Sequence, residues 1–410
     1  MFARAFRATV GNEPVSAVQP PPHARPRTLD SLERTGTGET VIQELLRFFE
    51  GTPVWNLFGY LTFRAALSAV SAFLVAVLFG PRVIRFLRRR RIGENVQKTD
   101  SPRLAELHGK KGGTPTMGGA LILIAVLLST VLFGDLRNHY VQLAILGTVA
   151  FGMVGAIDDW IKLNYQNRPG LRAGTKIVMQ IGVSLALAMA IVMLARRGGD
   201  LDPHQVRLPF LKDRFLDLSW GAGSLYVAFA ALVMIGASNA VNLTDGLDGL
   251  ATGCAVIASI TFAVIIYIIG RSDFTGYLHL TYVRGAGELT IVCTALAGAC
   301  LGFLWFNAYP ATVFMGDTGS LPIGGLLGFM AVVAKQELVM PIICGVFVIE
   351  AGSVILQVGS FKLRGKRVLL CAPVHHHFQF AGWHEVKVVV RFWIIAVICA
   401  IIGLATLKVR

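Results

Sequence analysis

Charged residues are scarce in this chain: Asp, Glu, Lys and Arg make up 15% of its 410 residues, against 54% apolar. A soluble domain draws about a quarter of its residues from the charged set. The shortfall excludes an ordinary soluble globule, and a large soluble protein with many buried core helices is a poor second reading. Cysteine is sparse and unpatterned. Cys254, Cys293, Cys300, Cys344, Cys371 and Cys399 form no C-x-x-C pair and lie mostly in apolar runs. That argues against a disulfide framework or a zinc site and leaves them as packing residues. The N-terminal stretch lacks an apolar core followed by a small-residue cleavage site, so it does not read as a secretory signal. No internal repeat is apparent.

Apolar residues are abundant, with a mean hydropathy of +0.62. They come in blocks of roughly twenty, the length that carries a helix across a bilayer core. The pattern predicts an all-α integral membrane protein with ten spans, at about 57–80, 117–134, 139–157, 176–195, 221–239, 250–270, 287–306, 319–338, 339–360 and 388–408. Residues 1–40, with Pro20, Pro21, Pro22 and Pro26, read as a disordered tail. Residues 41–56 read as an interfacial segment, and 57–410 as the ten-helix domain. The net charge of +14 would suggest nucleic acid in a soluble protein. Here it reflects topology, because Lys and Arg collect in cytoplasmic loops, and no nucleic-acid partner is expected. The densest basic segment runs from Arg82 to Arg91, with Lys98, Arg103, Lys110 and Lys111. Placing it in the cytoplasm puts the N-terminal tail outside and the loops 81–116, 158–175, 240–249, 307–318 and 361–387 inside.

All the unusual polar clusters fall in or beside those five loops, as a composite site on one face would require. Asp158 and Asp159 border an apolar helix, where carboxylates are costly to desolvate. They suit a hard divalent cation or a general base, or else form an exposed helix-end pair. Lys162 and Lys176 follow and could meet phosphate, or could be snorkelling lysines. Asn239, Asn242, Asp245 and Asp248 recur every third residue, a drifting polar stripe if helical. Gly246 and Gly249 would let the backbone turn or approach a ligand. Gly316-Asp317-Thr318-Gly319-Ser320 opens a span, where backbone N–H groups favour anions and Asp317 could hold Mg²⁺ against a phosphate. The plainer reading makes Asp317 or Thr318 an N-cap. His375, His376 and His377 cannot all face one way; they could bind metal, meet phosphates or order the backbone. The glycine-rich stretch through Lys111 and Thr116 does not match the P-loop pattern.

Taken together, Lys111-Gly-Gly-Thr-Pro-Thr-Met-Gly-Gly119, Asp158-Asp159, Asn242-Leu-Thr-Asp-Gly-Leu-Asp-Gly249, Met315-Gly-Asp-Thr-Gly-Ser320 and Pro373-Val-His-His-His-Phe378 resemble the phospho-N-acetylmuramoyl-pentapeptide transferase family. The resemblance covers residue 80 or so to the end. It implies a reaction of UDP-MurNAc-pentapeptide with undecaprenyl phosphate, giving lipid I and UMP with Mg²⁺. It also implies a homodimer in the bacterial inner membrane, among membrane lipids, with its active site facing the cytoplasm. By that likeness Asp317 ligates the metal, and Asp158 and Asp159 act near the lipid phosphate. Lys111, Asn242, Asp245, Asp248, Asn307 and Phe314 line the nucleotide site, with Thr116, Lys162, Lys176 and Gly316 as further substrate-binding positions. Phe314 stacks on uracil, and the three histidines contact substrate or shape the site. Gln379 departs from the family, which commonly has Glu there.

Two rivals remain at this point. A sister enzyme transferring GlcNAc-1-phosphate would share the paired Asp residues. A transporter would place acidic residues near span centres. Deleting residues 1–40 should leave specific activity in detergent within about twofold of the full chain, because a proline-rich tail builds no part of a packed site; a turnover assay on the truncated protein checks this.

Overall fold

The computed structural model describes residues 40–45, 47–50, 52–90, 113–164, 170–198, 203–211, 214–221 and 223–408. The tail expected at 1–40 lies, apart from Thr40, outside the described residues. Ten helices of 15 to 29 residues dominate. They are α1 (Leu61–Arg89), α2 (Gly119–Phe133), α3 (His139–Asn164), α4 (Ala173–Gly198), α5 (Ser224–Thr244), α6 (Leu250–Ile269), α7 (Leu289–Asn307), α8 (Asp317–Val333), α9 (Gly345–Arg364) and α10 (Glu385–Ala405). Among the described residues eight helices are long and apolar enough to cross a membrane, and α2 and α8 are shorter apolar helices. The chain is an all-α membrane protein.

Several boundaries differ from the sequence expectation in ways that bear on the site. α1 continues through Arg89, about 43 Å at 1.5 Å per residue, so its basic end projects past an apolar core of roughly 30 Å. α3 runs on to Asn164, so Asp158, Asp159 and Lys162 belong to a helix rather than a loop. α5 ends at Thr244, which splits the expected polar stripe: Asn239 and Asn242 are helical, while Asp245 and Asp248 lie in the turn beyond. α8 starts at Asp317 itself.

α8 is the centre of the bundle, with all 17 of its residues buried. Small residues make this possible. A side chain at Gly324 would run into the α5 backbone at Ala237 and Ser238, and one at Gly325 into the Phe151 ring of α3. α7 packs on α1 in the same way, with Gly298 against the Ala69 backbone and Gly302 against Phe73 and Ala76. In lipid, helices associate through such close contact, since burial of apolar surface from water adds little there.

Away from the motif-bearing loops, β1 (Gln205–Arg207) pairs with β2 (Phe215–Asp217) as a two-stranded antiparallel sheet, Val206 facing Leu216. It lies against Lys335, whose ammonium donates to the Pro203 and Gln205 carbonyls at 2.6 and 3.2 Å. The polar segment Lys335-Gln336-Glu337 is buried, and the Tyr226 hydroxyl donates to Glu337 at 2.6 Å. In the segment 41–56, Ile42 packs against a cluster of Phe58, Ala65, Phe133 and Ile291, while Phe48 is 94% exposed.

A buried ion pair ties α1 to the turn that leads into α7. Arg64 donates to both Glu288 oxygens at 2.9 and 2.6 Å and to the Phe133 carbonyl at 2.9 Å. Removing one partner strands a charge. Glu288→Ala should destabilise the protein by about 3–5 kcal/mol, and the apolar double variant Arg64→Met/Glu288→Leu should recover most of that loss. Thermal unfolding in detergent measures both.

Candidate active site

On α3, Gly155, Asp158, Asp159 and Lys162 stand at offsets of three, four and seven residues, which brings them onto one face. That face meets the start of α8. A Cβ at Gly155 would collide with the carbonyl of Asp317, so the glycine permits this approach. One turn on, Asp159 caps α8: its carboxylate accepts from the Asp317 N–H at 3.3 Å, the Thr318 N–H at 2.8 Å and the Thr318 hydroxyl at 2.7 Å. The expectation that Asp317 or Thr318 caps the helix is therefore corrected. The N-cap position is Gly316, with φ +71°, and the capping oxygens come from another helix. A side chain at Gly316 would press on Asp159 and on the Thr116 hydroxyl, which brings Thr116 into the same neighbourhood.

With its backbone held in this way, Asp317 turns its carboxylate toward Asp158 and Asp159. One oxygen from each of the three lies within 4.8 Å of the others, and all three residues are buried. At an effective dielectric of about 20, each like-charged pair at such a distance repels by roughly 3 kcal/mol. Two lysines offset this. Lys162 Nζ lies 2.6 Å from Asp158, 3.0 Å from Asp317 and 3.7 Å from Asp159. Lys176, at the start of α4, lies 2.6 Å from Asp317. Three carboxylates against two ammonium groups leave one negative charge in excess. Asn242 completes the set, donating to Asp317 Oδ1 at 2.7 Å and contacting Ser320 Oγ at 2.8 Å. Asn239 and Ser238 lock α5 through Gln180 of α4 at 2.9 and 3.1 Å.

The donor set is all carboxylate oxygen, which suits a hard divalent cation. Lys162 already puts a cation among the three acids, and its side chain, 40% exposed, has room to withdraw. Asp159 is committed to the start of α8 by three donors, two of them backbone N–H groups, whereas the three donors on Asp317 are side chains, Lys162, Lys176 and Asn242. Asp158 Oδ1 accepts from the Leu171 N–H at 2.8 Å, which ties the segment before α4 to the cluster.

A second group gathers around the turn Asp245–Gly249. Asp248 accepts from the Ala311 N–H at 2.9 Å, and its own N–H donates to Glu385 at 2.9 Å. Asn307 is a buried clasp. It accepts from the Gly249 N–H at 3.2 Å and the Thr252 hydroxyl at 2.9 Å, and donates to the Val313 carbonyl at 3.0 Å. Its amide thus supports the turn and the 308–316 segment. Phe314, half-buried, lies in an extended pairing: its N–H donates to the Pro115 carbonyl at 2.8 Å and its carbonyl accepts from the Gly118 N–H at 2.9 Å. Lys111 lies outside the described residues.

The three histidines have three partners, as their adjacency requires. His375 meets Glu350 of α9 at 3.0 Å, His376 meets Gln379 at 2.8 Å, and His377 accepts from the Leu370 N–H at 3.2 Å. Gln379 supplies an acceptor where the family commonly has Glu. Among the described residues the histidines join no metal-competent cluster. Sequence reasoning passed over Glu350, Glu385 and Gln180. Glu350 carried a readable signal, since a carboxylate inside an apolar span is rarely idle.

Residues 141–335 match the family model described as Glycosyl transferase family 4. Among curated proteins the chain is 47% identical over 367 residues to a phospho-N-acetylmuramoyl-pentapeptide-transferase of Koribacter versatilis, covering 87% of this chain and 95% of that protein. It is 46% identical over 368 residues to the protein of that name from Rickettsia felis, covering 89% and 99%. For that from Desulforapulum autotrophicum the identity is 48% over 357 residues, covering 87% and 96%.

The cap geometry has a direct consequence. Asp159→Ala should lower stability by about 1–3 kcal/mol, since it strips a cap and leaves a buried hydroxyl without its acceptor, while Asp159→Asn, which keeps an acceptor oxygen, should lose less than half as much. Unfolding midpoints of the two variants in one detergent test this ordering.

Proposed function

The chain belongs to the phospho-N-acetylmuramoyl-pentapeptide-transferase family, and from that premise we propose that it transfers phospho-MurNAc-pentapeptide from UDP-MurNAc-pentapeptide to undecaprenyl phosphate, giving lipid I and UMP. The observation that carries this reading is the acidic cluster with its two lysines, set where three helices meet. It is a phospho-sugar transferase, and the chemistry it must manage is the meeting of two anions. An oxygen of the lipid phosphate attacks the sugar-linked phosphorus of the nucleotide. The bond from that phosphorus to the bridging oxygen breaks, and UMP departs with the electron pair. The attacking oxygen is largely ionised near neutral pH, so placement matters more than proton removal.

Within this reading, Asp317 with Asp158 would hold Mg²⁺, which supplies charge neutralisation for the phosphates when bound. Lys162 and Lys176 add two further positive charges beside the same carboxylates. Lys162, half out of the cluster, is free to exchange a carboxylate partner for a phosphate oxygen. Asp158, 2.6 Å from Lys162, serves the acceptor phosphate. Asp159 positions Asp317 through the helix cap. The turn Asp245–Gly249, with Asn242, Asp248, Asn307 and Phe314, forms the nucleotide side, and Lys111 with Thr116 the rim. The identity to relatives bearing the muramoyl name favours this substrate over UDP-GlcNAc.

We read α1–α10 as ten spans. The contacts of the acidic cluster come from the C-terminal ends of α3 and α5 and the N-terminal ends of α4 and α8, as alternating spans require. The arginine-rich C-terminal end of α1 shares that parity, so the positive-inside rule assigns the site to the cytoplasmic face of the inner membrane. The homodimer and the extracytoplasmic tail belong to the same reading.

Asp317→Asn should reduce Mg²⁺-dependent UMP release from UDP-MurNAc-pentapeptide by about 10³-fold or more while leaving the unfolding midpoint near that of the parent, because the amide keeps hydrogen-bonding capacity and loses the charge that binds a cation. Near-normal turnover of that variant, or faster exchange with UDP-GlcNAc than with UDP-MurNAc-pentapeptide in the parent, would overturn the assignment.

A further inference from the structure

Glu350 and His375 are both 0% exposed, which is an expensive place for an ionisable pair. Glu350 sits on α9, and His375 in the first turn of the short helix Val374–Phe380. They meet through His375 Nδ1 and Glu350 Oε2 at 3.0 Å. A carboxylate on Nδ1 fixes the ring's orientation and directs Nε2 the other way. Among the described residues Nε2 has no protein partner, and neither does Glu350 Oε1. A buried polar atom left in this way calls for an explanation beyond packing.

Nε2 points at Gly246. A Cβ there would fall onto the imidazole, so the ring edge forms the floor of the Asp245–Gly249 turn. The other sides of the turn are held by Asn307 on Gly249, Ala311 on Asp248, and Glu385 on the Asp248 N–H. The floor alone depends on a residue from α9. We infer that Glu350 is a positioning residue for the nucleotide-sugar site: through His375 it holds the Asp245–Gly249 turn in the shape that receives the nucleotide. This rests on the preceding assignment of the turn to the nucleotide side. Glu350 touches neither the acids nor the lysines of the reacting centre by any hydrogen bond or ion pair among the described residues.

The test uses the full chain in detergent, with UDP-MurNAc-pentapeptide and undecaprenyl phosphate as substrates and unfolding midpoints measured in parallel. Glu350→Leu should raise KM for the nucleotide sugar about tenfold with kcat within about threefold, the scale of one lost hydrogen bond. Glu350→Gln keeps an acceptor for Nδ1 and should stay within about twofold of the parent in both constants. Gly246→Ala should raise KM like Glu350→Leu, and in a His375→Ala background the same methyl should cost nothing further, since the ring it meets is gone. An unchanged KM in Glu350→Leu would overturn the inference. So would equal impairment of the Gln and Leu variants, or a fall in kcat at constant KM. A parent chain inactive with this substrate overturns the preceding assignment instead, and UMP affinity by calorimetry across the same variants still decides the role of Glu350: a weakening of about tenfold in the Leu variant alone supports it, and equal affinities sink it.

Discussion

The close approach of α3 to the first turn of α8 is the contact on which the acidic centre depends. Gly155 leaves room for the Asp317 carbonyl, and Asp159 then captures the free N–H groups of α8. Helix starts expose unsatisfied donors and a positive dipole end, so a carboxylate is the natural partner. Because Asp158 is next in the chain to Asp159, fixing one delivers the other to Asp317. Three acids from two helices thus converge through one glycine and one cap.

Concentrating that much negative charge at the edge of an apolar bundle would be untenable alone. Lys162 and Lys176 make it tolerable, and they leave the cluster one charge short of neutrality. The deficit equips the site for a cation and, with it, for phosphate. The surrounding polar residues are engaged in holding the loops around this centre, as Asn307, Asp248 and Gln180 show. Rigid support of this kind is what places a phosphoryl group within reach of its nucleophile, and positioning supplies much of the catalysis in such transfers.

The buried ionisable pairs away from the centre follow a similar logic. Arg64–Glu288, Glu337–Tyr226 and Glu350–His375 each bridge segments distant in the chain. Apolar contact in lipid discriminates weakly between alternative helix pairings, since tails and side chains are chemically alike. Paired polar groups, costly when unpaired, select among them.

The chain's own order of residues determined the membrane class, the approximate position of the helices and the identity of the acids. Each is a local property: hydropathy reads over twenty residues, and Asp158, Asp159 and Asp317 stand out against apolar neighbours. The division of labour was decided only in three dimensions. Asp158 and Asp159 look equivalent as neighbours, yet one lies beside Lys162 and the other is consumed as a cap, because adjacent helical residues point about 100° apart. Three histidines in a row received three separate partners for the same reason. Glu350 stood out locally as a carboxylate in an apolar span, but its link through His375 to Gly246 was decided only in the fold, since a contact between residues more than a hundred positions apart leaves no mark in local pattern.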